Sequence, residues 1–194
     1  MKRTLTAVDI LSLNEYERVR GDKRRDILAA KKNRRVAVGP YATFYFESYD
    51  TMWMQVQEML RIEKGGAAQM KDELDAYAPM VPQGNELVAT VMFEIEDPGK
   101  RQEVLSLLGG VEHKLQLRFG GEIITGEPER DLEYTSPEGK ASSVQFAHFR
   151  FAPQQLLKFR APDAEVLVAI SHPQYNHMAV MPQVVKEEVL KDFS

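Results

Sequence analysis

Glu58 and Arg61 stand three residues apart in QVQEMLRIE, a spacing that sets a carboxylate and a guanidinium side by side on one helix face. Arg34 and Arg35 lie upstream in KKNRRVAVGP, and Glu47 ends the run TFYFES. If the arginines reach the same surface, two fork-shaped donors can hold a carboxylate or phosphate bidentately, which lysine does less well. Gln55 falls at the border of the apolar stripe of this helix, where its amide must brace backbone or face a ligand. The candidate ligand-binding set is therefore Arg34, Arg35, Glu47, Gln55, Glu58 and Arg61. The competing reading is a surface ion-pair network, worth under about 1 kcal/mol per pair.

A second constellation is ISHPQYNHMAVMP, with His172 and His177 five residues apart and Met178 and Met181 following. Imidazole suits zinc, iron, copper or nickel, and thioether sulfur favours reduced copper. Two histidines do not close a site, so a carboxylate such as Glu94 or Glu58 must join them. The same segment also reads as a polar loop whose methionines fill core gaps. Glu94 itself interrupts, with Thr90 and Met92, the second face of an otherwise apolar strand, where a carboxylate is costly unless paired, ligating or at the wet end. His148 in VQFAHFRF reads as a satisfied histidine.

The signatures GxGxxG, GxxxxGK[ST], HExxH and GxSxG and the EF-hand loop are absent. With no cysteine, thiolate catalysis, disulfides and cysteine-ligated metal centres are excluded. The formal charge of -4 hides a basic stretch: Tyr16 to Arg35 holds nine Lys or Arg against three Asp or Glu. An acidic whole nevertheless argues against a dedicated nucleic-acid binder, and a solvated helix face is the simpler reading of the stretch. No apolar run approaches the roughly 18 residues that span a bilayer, and the first residues lack a secretory apolar core, so a cytoplasmic location is expected.

The elements that must position these groups follow from periodicity. Thr6 with Asp9 and Ser12 with Glu15 are cap-like pairs that predict two short helices, the second ending near Gly21; Asp22 then caps a third, surface helix to about Asn33. RRVAV and TFYFES, separated by Gly39 and Pro40, predict a hairpin. Asp50 is the expected N-cap of a helix from Thr51 to about Lys64, with Met52, Trp53, Val56, Met59 and Leu60 on its apolar arc and Gln57, Glu58 and Arg61 opposite. A second helix, with Ala67, Met70, Leu74 and Tyr77 on one face, runs until Pro79 and Pro82 end it.

ELVATVMFEIE reads as a central strand, and a short helix is framed by Asp97-Pro98 and Gly109-Gly110. HKLQLRF and EIITG form a hairpin through Gly120-Gly121. VQFAHFRF, a short helix between Pro153 and Pro162, the strand VLVAIS and a C-terminal helix from Pro182 complete the chain. The 194 residues predict one α+β domain: a mainly antiparallel sheet with N-terminal helices and helices packed on one face, residues 1–33 forming a basic helical segment against it.

The order KKNRRVAVGP, TFYFES, QVQEMLRIE, ELVATVMFEIE, SVQF and ISHPQYNH resembles the bacterial domain-of-unknown-function family 3501 over nearly the whole chain. By that resemblance Arg34, Arg35, Gly39, Pro40, Glu47, Gln55, Glu58, Met59, Arg61, Glu63, Glu94, His172, Pro173 and Tyr175 occupy signature positions. The resemblance implies no assigned activity. It implies a redox or peroxide-stress setting, with an iron–sulfur or rubrerythrin-like protein as partner. Two functions are expected: a non-catalytic binding or accessory protein for an anionic ligand or acidic partner, or a metal-dependent enzyme built on His172, His177 and Glu94.

Overall fold

The structure, a computed structural model, describes residues 2–130 and 132–193. Ser12 opens the first helix with a capping box: its hydroxyl accepts from the Glu15 backbone N–H, and the Glu15 carboxylate accepts from the Ser12 backbone. That helix, α1 (Leu13–Lys32), runs unbroken through Gly21 instead of splitting into two. Glycine inside a helix costs about 1 kcal/mol, which flanking helix formers and tertiary contacts outweigh here. Tyr16 and Ile27 of α1 are buried, so the basic helix is wet on one side and docked on the other.

The expected hairpin forms as β1 (Arg35–Val38) and β2 (Ala42–Phe46), with Arg35 opposite Tyr45 and Val38 opposite Ala42. Gly39 sits at φ +69, in the left-handed region that favours glycine, and a Cβ there would lie 2.6 Å from the His177 ring. Ser48, rather than Asp50, caps α2 (Tyr49–Glu63), accepting from the Thr51 N–H. Asp50 occupies the first turn, where its charge suits the helix dipole. Helix α3 (Gly66–Tyr77) follows, and then β3 (Glu86–Phe93).

Asp97 caps α4 (Pro98–Ser106) as expected, although this helix ends before Gly109-Gly110. The second hairpin is β4 (Leu115–Phe119) with β5 (Glu122–Thr125), followed by the two-residue β6 (Glu127–Pro128) and by β7 (Val144–Arg150). Helix α5 (Pro153–Arg160), β8 (Leu167–His172), β9 (Tyr175–Val180) and α6 (Gln183–Val189) finish the chain.

Two antiparallel sheets result, in the orders β1-β2-β3-β7-β6 and β5-β4-β8-β9. Their inner faces share one core, in which Val38, Phe44, Leu87, Val91, Leu117, Val168 and Ile170 are fully buried. Burying a side chain of this size contributes roughly 1.5–3 kcal/mol. Along β3 the odd positions Leu87, Ala89, Val91 and Phe93 enter this core, while Val88 points the other way into a second cluster with Met52, Trp53 and Val56 of α2 and Tyr16 and Ile27 of α1. The fold is α+β, with α1, α2 and α3 layered on the outer face of the larger sheet.

Tyr175 of β9 joins the sheets. Its hydroxyl donates to Val38 O at 2.8 Å and accepts from Tyr41 N at 2.9 Å and Ala42 N at 3.0 Å. The segment read as a polar loop is therefore an edge hairpin that plugs the β1–β2 turn.

Candidate functional site

On the outer face of the larger sheet the register aligns two cross-strand rows: Tyr45, Thr90 and Phe146, and beside them Thr43, Met92 and Val144. α2 covers the sheet at Val88 but leaves these rows uncovered, so a cleft of about 330 Å³ opens between sheet and helices. Met52 and Gln55 of α2, Tyr77 at the end of α3 and Lys31 in the last turn of α1 complete its walls. Cavities of a few hundred Å³ with apolar walls and a few convergent polar groups are the usual form of a small-molecule site.

Glu47 lies at the heart of this cleft and is 6% exposed. Its carboxylate accepts from Thr90 Oγ1 at 2.7 Å and from Thr51 Oγ1 at 2.6 Å. Among the described residues no basic side chain comes within 4.0 Å of it. Two neutral hydroxyls are thin compensation for a buried carboxylate, which normally takes a cation or a further donor. Gln55 offers its amide with one long 3.5 Å contact to the Tyr77 hydroxyl, and the Lys31 ammonium has no acidic partner among the described residues. At the open end, Tyr45 and Thr43 each donate at 2.8 Å to Glu94. Burial, followed by the hydrogen bond to Glu94, pushes the Tyr45 phenol above its ordinary range.

Of the expected ligand-binding set, the cleft gathers Glu47 and Gln55, with Glu94 bonded to its rim through Tyr45. Arg35 is exposed on β1 directly across from Tyr45, close to this surface. Arg34 is not presented to a ligand: it is 2% exposed, and its nitrogens donate to Phe46 O at 2.9 Å, Glu47 O at 2.8 Å and the Asp192 carboxylate. It fastens the end of the hairpin to the C-terminal segment.

Glu58 and Arg61 do not form the expected i, i+3 pair. Arg20 of α1 reaches Glu58 with Nε at 2.7 Å and a terminal nitrogen at 2.9 Å, Tyr16 donates at 2.6 Å, and Arg61 turns to Glu17 at 2.6 Å. These bonds, with the nearby Arg61 charge, hold the Glu58 carboxyl down at about 2 against the opposing effect of burial. Glu58 and Arg61 therefore dock α2 on α1.

Nor does the metal set assemble. His172 Nε2 lies 3.2 Å from Gly109 O and its Nδ1 accepts from Gln174 N at 3.2 Å, so both ring nitrogens are engaged. His177 packs against the Tyr175 ring with centroids 4.6 Å apart, and Glu94 lies across the other sheet with Thr43 and Tyr45. Among the described residues no group of three His, Asp or Glu is placed to hold a metal ion.

The sequence reading passed over Lys31, Tyr45 and Tyr77. A signal existed for the floor of the cleft: Thr90, Met92 and Glu94 interrupt the apolar second face of β3 where no helix covers it. His148 is likewise satisfied, between Glu86 at 3.2 Å and Glu129 at 2.7 Å. Burial opposes its protonation, but the two glutamates outweigh that and raise its pKa.

No helix among the described residues is long and apolar enough to cross a membrane. Among curated proteins the chain matches none. A crystal structure of a novel protein of unknown function from Burkholderia pseudomallei K96243 is similar to it, with a TM-score of 0.89 and 32% sequence identity, covering 98% of this chain and 100% of that one. The family model described as "Protein of unknown function (DUF3501)" matches residues 4–193, and the chain belongs to that family.

Proposed function

We propose that this is a non-catalytic binding or accessory protein whose cleft seats a small molecule carrying both a carboxylate and an ammonium group, an α-amino acid in its simplest form. The observation that carries this reading is Glu47, a buried carboxylate that among the described residues has hydroxyl donors but no cation within 4.0 Å, in a cleft whose Lys31 ammonium has no acidic partner among those residues. A ligand ammonium at Glu47 supplies the missing countercharge, a ligand carboxylate meets Lys31, and Met52, Met92 and Phe146 take the apolar side chain. The expected arginine surface gives way to this cleft, and in this reading the protein acts in the cytoplasm beside an iron–sulfur or rubrerythrin-like redox protein. Lacking cysteine, it is suited to assist such a protein and not to hold a thiolate-ligated cluster itself.

The test is a thermal-shift panel of the natural α-amino acids, followed by calorimetric titration of the strongest. A ligand at 100 times its Kd stabilises by about 2.7 kcal/mol. The reading requires at least one saturating member whose affinity falls tenfold or more in Glu47→Gln. A panel that leaves the melting temperature unmoved, or a Glu47→Gln protein that binds equally well, overturns it.

A further inference from the structure

Gln57 was expected on the solvent side of α2, yet it is 2% exposed. The N-terminal segment explains this: the Trp53 indole donates to Asp9 O at 2.8 Å and draws that segment along α2. Between them lies a second cavity, of about 550 Å³, separate from the Glu47 cleft. Its walls are chiefly apolar, from Ile10, Leu11, Leu13, Leu60, Ala67 and Met70, and Gln57 is among the residues that line it. The Gln57 amide makes no hydrogen bond among the described residues, and its nitrogen is buried without a partner. An unmade bond of this kind costs roughly 1–3 kcal/mol, so a buried amide is normally satisfied.

The remaining polar side chains of the lining are Ser12, whose hydroxyl is engaged with Glu15, and two cations. Lys64 forms no hydrogen bond or ion pair through its ammonium among the described residues, and the guanidinium of Arg61 makes one hydrogen bond there, Nε to Glu17. Apolar walls, an unsatisfied amide and two cations at one cavity call for a molecule with an aliphatic body and an anionic head.

We propose that this cavity is a binding site for a single-chain aliphatic carboxylate, its tail lying along Leu11, Leu60 and Met70, its head at Lys64 and Arg61, and one oxygen taking the Gln57 amide as partner once that side chain rotates toward the cavity. The cavity is lined by different residues from the Glu47 cleft, so the two sites stand or fall separately.

Decanoate is the probe, titrated calorimetrically into the full chain at neutral pH. One saturable site is expected, with affinity lowered about tenfold in Lys64→Ala, lowered severalfold in Gln57→Leu, and lost in Ala67→Trp, which fills the cavity. Ala67 and Lys64 are exposed, so an unchanged melting temperature in those variants separates loss of the site from loss of the fold. Decan-1-ol, which has the tail without the charge, should bind at least tenfold more weakly. Absence of saturable decanoate binding, equal binding by Ala67→Trp, or a decanol affinity matching that of decanoate each overturns the proposal.

Discussion

Arg20 of α1 grips Glu58 of α2 in a bidentate pair, Nε to Oε1 at 2.7 Å and the terminal nitrogen to Oε2 at 2.9 Å, and this pair with Tyr16 fixes the helix layer over the sheet. Because the helix layer forms one wall of the Glu47 cleft, the pair sets the shape of the site without touching it.

Arg20→Ala should destabilise the protein, since it removes two hydrogen bonds to a charged group. The Glu58 carboxyl is held at about 2, below its ordinary value of 4.5, so its stabilisation is complete above pH 4.5 and is lost as pH falls toward 2. Urea unfolding at pH 7 and at pH 3 should therefore show the gap between wild type and variant narrowing in acid.

Arg34 and Asp192 make the opposite case. Burial pushes the Asp192 carboxyl up to about 6 even though the Arg34 guanidinium favours its ionised form. A carboxyl raised in this way contributes stability fully below its ordinary 3.8 and loses it as pH rises through about 6. Asp192→Asn should flatten the stability profile between pH 4 and 6. Arg34→Ala, which strands a buried charge, should cost about 3–5 kcal/mol at pH 7. Denaturant titrations across that interval check both.

His148 titrates in a higher window. Its pKa is raised above the ordinary 6.5 by Glu86 and Glu129, so its stabilisation is fully present below 6.5 and disappears as pH rises through the raised value. The difference in unfolding midpoint between wild type and His148→Gln should be largest near pH 6 and shrink by pH 9.

Tyr175→Phe removes one donor and leaves the N–H groups of Tyr41 and Ala42 without their acceptor, which should cost about 1–3 kcal/mol. Gly39→Ala should also destabilise, since its Cβ would meet the His177 ring at 2.6 Å and the Tyr175 hydroxyl at 2.8 Å. Thermal melts of both variants read these effects.

These residues also mark how far the sequence could be read. The Gly39-Pro40 turn, the Asp97 cap and the alternation of β3 were legible because each is a local signal with its own periodicity or backbone requirement. β9 was not, because it is an edge strand: Asn176, His177 and Met178 are all exposed, so no buried face imposes alternation. The Gly21 break failed because packing of Tyr16 and Ile27 outweighs one glycine. Gln57 and Glu58 were misassigned for a single reason: an apolar arc shows which side of a helix meets the main core, but not that a second element, α1 with its leading segment, covers the other side. The cleft was half legible. Glu47, Gln55 and Glu94 stood out as polar groups in apolar settings, whereas Lys31, Tyr45 and Tyr77 acquire meaning through cross-strand register and helix placement.

The proposed amino-acid site rests on Glu47 accepting a hydrogen bond from a ligand ammonium. It is tested most directly by two-dimensional NMR of the 15N-labelled protein titrated with the amino acid that gives the largest thermal shift. The account predicts saturable shifts of the Gln55 side-chain amide and of the Thr90, Tyr77 and Lys31 backbone amides, all suppressed in Glu47→Gln. Saturable shifts elsewhere that leave the Gln55 and Thr90 signals unmoved, or shifts that persist in Glu47→Gln, would contradict it.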